Sequence, residues 1–316
     1  MRKVTLGNSD TEVSALCLGT MYFGTRQKKA KSFSLMDQYF EAGGSFFDTA
    51  NIYAWWEPKG AGGESEKVVG AWMKERRNRH QVFVASKVGF GYGDVPVGLT
   101  ADLIERECEK SLKRLGVENI DLYYAHVDDR NTSMEETLIA LSRLVRAGKI
   151  RYFGASNFTA WRLEEARSVS VTNRWPEYCC VQQRYTYLRP RRGASFSPQL
   201  AVNDDLLDYC RNRDTTLLAY SALLSGAYTR ADRDIPVEYA GADTSRRLAA
   251  LKGVAKAVGS SANQVVLAWM MQSDPPVLPL IAASTEKQLQ ENIASLDIRL
   301  SEEQMERLNG AGVKNP

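Results

Sequence analysis

Short apolar runs alternate with amphipathic stretches eight times along this chain. Residues 16–18 (LCL) precede a helical stretch near 28–42, 45–48 (SFFD) one near 64–77, 82–86 (VFVAS) one near 101–115, and 120–125 (IDLYYA) one near 134–147. The pattern continues with 151–155 (RYFGA) before 159–168 and 179–182 (CCVQ) before 199–212. Then 216–220 (TLLAY) leads through a long loop to stretches near 245–258 and 262–272, and 277–281 (VLPLI) precedes 286–295. A last helix is expected near 301–309. Strand signals alternating with helical patterns build a parallel sheet, and eight units favour a closed barrel over an open sheet. The expected fold is α/β: a (β/α)8 TIM barrel, one domain over 1–316, with extra C-terminal helices. The opening VTLGNSDTEV reads as a hairpin plugging the barrel bottom.

Helix punctuation agrees. Thr100 and Ser133 stand as N-caps before acidic first turns, and Ala147-Gly148 supplies a C-terminal stop. Composition then removes several function classes. Formal charge is only +3 and no block of like charge occurs, so no nucleic-acid partner is expected. No run approaches the ~18 apolar residues of a membrane helix. MRKVTLGNSD lacks the apolar stretch of a signal peptide, so the expected location is cytoplasmic. The five cysteines, 17, 108, 179, 180 and 210, are odd in number without CxxC spacing. They read as reduced core thiols, with adjacent Cys179 and Cys180 on opposite faces of a strand. With only His80 and His126 as histidines, no metal site is expected.

In such barrels chemistry sits at the C-terminal ends of the strands. Those ends carry Thr20, Asp48, Lys87, His126, Ser156-Asn157, Gln182, Tyr220-Ser221 and Ala283-Ser284. Asp48, Lys87 and His126 close three successive strands. Ionisable groups facing one barrel mouth are costly unless paired; a carboxylate, an ammonium and an imidazole together suggest proton transfer. Each alone has a bland reading: Asp48 a loop cap, Lys87 a surface lysine, His126 a hydrogen-bonded structural histidine, Tyr53 a loop aromatic.

Together the motifs DTANIY (48–53), ASKVG around Lys87 and YYAHVDD around His126 resemble the Asp, Tyr, Lys, His tetrad of aldo-keto reductases. The resemblance covers nearly the whole chain, with SALCLGTMYFG, GESEKVVGAWMK, GASNF, VQQRYTYL, LLAYSALLSG and PLIAASTEKQLQEN in the family's order. It implies an oxidoreductase acting on the carbonyl/alcohol pair, reducing aldehydes and ketones or oxidising sugar-like alcohols in reverse. Tyr53 would be general acid and base, Lys87 would lower its pKa, Asp48 would hold Lys87, and His126 would bond the carbonyl oxygen.

The same resemblance implies a cofactor, NADP(H), with NAD(H) as an alternative. Thr20 and Met21 lie in its cofactor-facing turn. Ser156, Asn157 and Gln182 would bond the carboxamide, and Tyr220 would stack on the nicotinamide. The stretch Ser221–Arg230, with Leu223, Gly226 and Arg230, would meet the diphosphate; Ala283, Ser284, Gln288 and Asn292 would meet the adenosine end. Many family members carry cations where Ala282 and Gln288 stand here, which leaves the NADPH preference open. Tyr22, Trp55, Trp56 and Phe90 would either line a pocket for a small carbonyl or sugar substrate or only pack the loops. The loops 188–198 and 226–244 read as lids or as an oligomer contact; oligomeric state stays open. Two other readings compete: a cofactor-sensing regulatory barrel resembling potassium-channel β subunits, and a Schiff-base lyase using Lys87.

Overall fold

The computed structural model describes residues 1–58 and 60–312. β1 (Lys3–Thr5) and β2 (Glu12–Ser14) form an antiparallel hairpin. Its turn carries Gly7 at φ +54°, where a Cβ would fall on the Cys179 carbonyl. Leu6 and Val13 are fully buried among the side chains of the barrel interior, so the hairpin closes the barrel bottom.

The eight apolar runs are parallel strands closed on themselves. They are β3 (Cys17–Gly19), β4 (Phe46–Asp48), β5 (Phe83–Val88), β6 (Ile120–Ala125), β7 (Ile150–Ser156), β8 (Cys180–Arg184), β9 (Thr216–Tyr220) and β10 (Val277–Ile281), with β10 returning to β3. Around them lie α1 (Lys29–Glu41), α2 (Glu64–Arg76), α3 (Ala101–Leu115), α4 (Met134–Arg146), α5 (Ala160–Asn173), α6 (Asp204–Asn212), α7 (Thr244–Ala257), α8 (Ala262–Gln272), α9 (Glu286–Ala294) and α10 (Glu302–Gly310). Among the described residues no helix is long and apolar enough to cross a membrane.

Side-chain alternation along a strand builds the site. The interior-facing residues include Phe46 on β4, Phe83 and Ala85 on β5, Leu122 and Tyr124 on β6, and Cys180 on β8, all packed in one apolar cluster. Continuing each series by two reaches Asp48, Lys87, His126 and Gln182. The barrel therefore has an apolar floor and a polar mouth. The other faces, with Phe47, Val84, Tyr123 and Val181, pack under the helices.

Three local expectations change. α6 starts at Asp204 rather than near 199, because residues 199–202 run extended, with Val202 N–H on the Arg184 carbonyl (2.9 Å), and Asn203 caps the helix at Leu206 N–H. Ser133 caps α4 as expected, but the Thr100 side chain makes no cap; Glu136 receives the first amide of α3 instead (3.0 Å). Cys179 and Cys180 do not take opposite faces. Cys179 precedes the strand, and both sulfurs lie in the interior cluster, 3.8 Å apart. All five cysteines are free and buried.

Candidate active site

The mouth is centred on Lys87, which is fully buried. Its ammonium donates to Asp48 Oδ1, to the Thr49 carbonyl (2.8 Å) and to the Tyr53 hydroxyl (2.9 Å). The same nitrogen lies 4.6 Å from the Tyr53 ring centre. Gln182 reaches across and donates to the second Asp48 oxygen (2.8 Å). Asp48 thus holds both the lysine and the glutamine.

Tyr53 sits on a turn rather than a strand, and two contacts place it. The Asn51 amide N–H bonds the Lys87 carbonyl (3.3 Å), and the Asn51 side chain donates to buried Glu107 (3.1 Å), which also accepts from Tyr92 (2.6 Å). Glu107 and Tyr92 are thereby supports of the catalytic turn. The sequence offers no local signal for this, since Glu107 lies on α3.

Charge at the mouth is nearly cancelled within the Asp48–Lys87 pair. Burial pushes the Tyr53 phenol well above its ordinary range, and the Asp48 carboxylate pushes it further. The Lys87 ammonium, 2.9 Å from the phenol oxygen, is itself paired with Asp48. Burial pulls Lys87 down while Asp48 opposes it. Burial, aided by Lys87, also holds the His126 imidazole well below its usual range, so it is neutral at pH 7. Its ring lies 6.0 Å from that of Tyr53 and 4.7 Å from that of Phe90, and its Nδ1 is buried without a partner.

Above this group lies a cavity of about 880 Å³, lined by Asp48, Tyr53, His126, Asn157, Gln182, Tyr220, Ser221, Met21, Tyr22, Trp56, Phe90 and Ala283 among the expected residues. It is within the usual range for a ligand site. Several other expected residues point elsewhere. Thr20 is buried and bonds the Asp48 carbonyl and Ser65. Ser156 lies behind Asn157 and accepts its amide (3.1 Å). Trp55 packs toward Tyr92 instead of the cavity. Arg230 is held by Asp232, and Leu223 and Gly226 sit in the following turn, off the lining; Leu224 takes the wall position. Gln288 closes the capping box of α9, accepting from the Ser284 and Thr285 amides, and Asn292 donates to the Ala282 carbonyl.

Residues the sequence did not flag complete the wall: Gln27, Arg184, Phe196, Gln199, Arg233 and Asp234. Residue spacing alone would have found Arg184, two beyond Gln182 on β8. Gln27, by contrast, comes from the loop after β3 and donates to Ala283 (2.7 Å). The loops 188–198 and 226–244 pack on each other, with Arg191 N–H on the Glu238 carbonyl (2.7 Å) and the Phe196 and Tyr239 rings 5.5 Å apart.

The cavity suits a ligand with several polar groups. His126 Nδ1 and Gln27 Oε1 are buried and unpartnered, and both residues line it. On the same lining, Asn157 (φ +58°) accepts from the Tyr220 hydroxyl (2.7 Å), and Ser221, Leu224 and Ser225 all have positive φ. Left-handed residues in such a turn form concave clusters of amides that bind anions. A nicotinamide dinucleotide offers such groups: a ring amide at one end, a diphosphate in the middle and an adenosine at the other.

Comparison with known proteins agrees with this geometry. The sequence model of the Aldo/keto reductase family matches residues 15–312. An oxidoreductase of Bacillus subtilis, YrpG, is 33% identical, covering 100% of this chain and 98% of its own. The norsolorinic acid reductase B of Dothistroma septosporum is 30% identical over 96% of this chain and 79% of its own. The aryl-alcohol dehydrogenase [NADP(+)] of Phanerodontia chrysosporium is 28% identical over 95% and 81%. The thermostable aldo-keto reductase Tm1743, solved with the inhibitor epalrestat, superimposes with a TM-score of 0.78 at 30% identity, covering 99% of this chain and 100% of that one.

Proposed function

This chain belongs to the aldo/keto reductase family, and we propose that it reduces aldehydes or ketones to alcohols with NADPH as cofactor and NADH as a weaker alternative. One observation carries the reading. A protonated phenol, Tyr53, lies 2.9 Å from a buried ammonium beneath a cavity that also exposes a neutral imidazole.

A bound reduced nicotinamide would supply the hydride that the carbonyl carbon takes up. Every other requirement falls to the chain. The carbonyl oxygen needs a proton as charge develops on it, and Tyr53, kept protonated by burial, is placed to give it. Lys87 then stands beside the phenolate left behind, and Asp48 fixes the ammonium from below. A neutral imidazole has one N–H to donate, so His126 orients the carbonyl oxygen toward Tyr53 and steadies its developing charge. Asn157 and Gln182 would hold the carboxamide and the Tyr220 ring would cover the nicotinamide face; Ser221 and its amide-rich turn would hold the diphosphate.

Tyr22, Trp56, Phe90 and Phe196 make the mouth aromatic. Flat rings stack there at little entropic cost, which fits aryl aldehydes and ketones. The printed names of the fungal relatives, norsolorinic acid reductase and aryl-alcohol dehydrogenase, point the same way. The experiment is a panel of aryl aldehydes, aliphatic aldehydes, aldoses and steroid ketones, followed by nicotinamide absorbance with NADPH and with NADH. Aryl aldehydes with NADPH should give the highest kcat/KM. Failure of the protein to bind either nucleotide in a fluorescence titration would end the reductase reading.

A further inference from the structure

The polar mouth has one charge that the proton-transfer group leaves unused. On β8 the interior-facing series runs Cys180, Gln182, Arg184, rising from the apolar floor to the rim. Gln182 bonds Asp48, so the next residue on that face stands one pleat above the catalytic carboxylate, roughly 6–7 Å further toward the mouth. Arg184 lines the cavity there. Its guanidinium carbon lies 4.9 Å from the Phe196 ring centre and 5.5 Å from that of Tyr220, and one Nη donates to Gln199 Oε1 at 2.5 Å. Its Nε is buried and bonds nothing.

No carboxylate among the described residues pairs with Arg184; its partners are an amide oxygen and two ring faces. Asp48, the one buried carboxylate on the wall, is already held by Lys87 and Gln182. Arg233 and Asp234 on the opposite loop are exposed, and solvent screens them. Arg184 is half-buried in the wall with its Nε buried and unpaired, and a planar donor fork matches a carboxylate better than any other common group. The cofactor's phosphates have other seats: the turn Ser221–Ser225 and the far end near Gln27 and Ala283. The slot beside Arg184 is walled instead by rings, which suit a flat organic anion.

We propose that Arg184 determines substrate specificity by binding a carboxylate on the substrate, so that the preferred substrates are aromatic carbonyl compounds bearing an acid group. This rests on the carbonyl-reductase reading above. Gln199 orients the guanidinium, and the Phe196 ring flanks it.

The test compares meta- and para-carboxybenzaldehyde with their methyl esters, in the wild type and in Arg184→Gln and Arg184→Lys. The wild type should favour an acid over its ester in kcat/KM. Arg184→Gln should lose about 10- to 100-fold on that acid, the range of a charge-assisted hydrogen bond, and little on the ester. Arg184→Lys should fall between, because a point charge replaces a fork. NADPH affinity, read by fluorescence titration, should stay close to wild type. Equal rates on acid and ester in the wild type, or equal losses on both in Arg184→Gln, would overturn the proposal. So would a weakened NADPH affinity with an unchanged acid-to-ester ratio, which would assign Arg184 to a cofactor phosphate. Turnover of the esters alone would leave the reductase reading standing and this inference refuted; turnover of none of the four would remove the reading beneath it.

Discussion

Two regions at the barrel mouth are built on opposite principles. At the tetrad end, Lys87 and Gln182 both bond Asp48 across the barrel, from three different strands, and His126 faces the same cavity with its Nδ1 unpartnered. Just beyond the Ala282–Ala283 wall, off the cavity lining, Ser284, Thr285, Gln288 and Asn292 lie within nine residues, and their polar atoms close on α9 and its own approach. The first holds a strained arrangement of charge that only the whole barrel can maintain. The second is a self-satisfied helix start. A change at the first should therefore damage both chemistry and stability, and one at the second should only adjust ligand preference.

Lys87→Met gives the largest expected effect. It removes the ammonium beside Tyr53 and leaves the Asp48 carboxylate buried with Gln182 as its side-chain partner. Breaking a buried pair this way costs about 3–5 kcal/mol, and losing support for proton transfer should cost about 10²–10⁴ in kcat. Urea unfolding and steady-state rates measure the two. A variant with wild-type stability would show that the Asp48–Lys87 pair does not hold the mouth together.

His126 gives the next. Its imidazole is held neutral by burial, so its folded pKa is below the unfolded one. Below about pH 6.5 the unfolded chain takes up a proton that the folded chain refuses. Stability on this account falls as pH drops through that value, and the contribution is fully present above it. His126→Asn should flatten the decline in Tm between about pH 7 and pH 5. An unchanged pH profile would mean that the histidine titrates normally in the folded protein.

The smallest effect belongs to the start of α9. Gln288→Arg breaks the capping box of α9, at about 1 kcal/mol, and sets a cation at the helix start. The NADPH-to-NADH ratio of kcat/KM should rise, by no more than the ~10- to 100-fold of one charge-assisted contact, with kcat itself little changed. An unchanged ratio would show that residue 288 does not face the 2′-phosphate.

This contrast also explains what could be read in the chain. The barrel, its hairpin plug and the meeting of Asp48, Lys87 and His126 at the mouth were legible because a period of two and a count of eight fix which strand-end residues converge, whereas Tyr53, on a turn, was legible only through the resemblance to aldo-keto reductases. Thr20, Ser156, Gln288 and Asn292 carry the right chemistry at the right positions, yet their polar atoms bond their own neighbourhood. Sequence marks a side chain's type, but competition among nearby backbone donors decides whether it is free. Gln27 and Glu107 reach the site from elements distant in sequence, and nothing local announces them; the loop 188–198 was expected as a lid or an oligomer contact, and its Phe196 lines the cavity.

The account stands most directly on Tyr53. Its raised pKa keeps the phenol protonated through the neutral range, so reduction should proceed undiminished there and fail only as pH rises toward the phenol's own titration. Tyr53→Phe keeps the ring over the Lys87 ammonium and removes the hydroxyl that carries the proton. The deciding measurement is kcat of Tyr53→Phe on the best carbonyl substrate, taken beside its affinity for NADPH. The expected result is a loss of about 10²–10⁴ in kcat with cofactor affinity close to wild type. Retention of a tenth or more of wild-type kcat would show that another group gives the proton, and the assignment of the mouth as a proton-transfer site would fall.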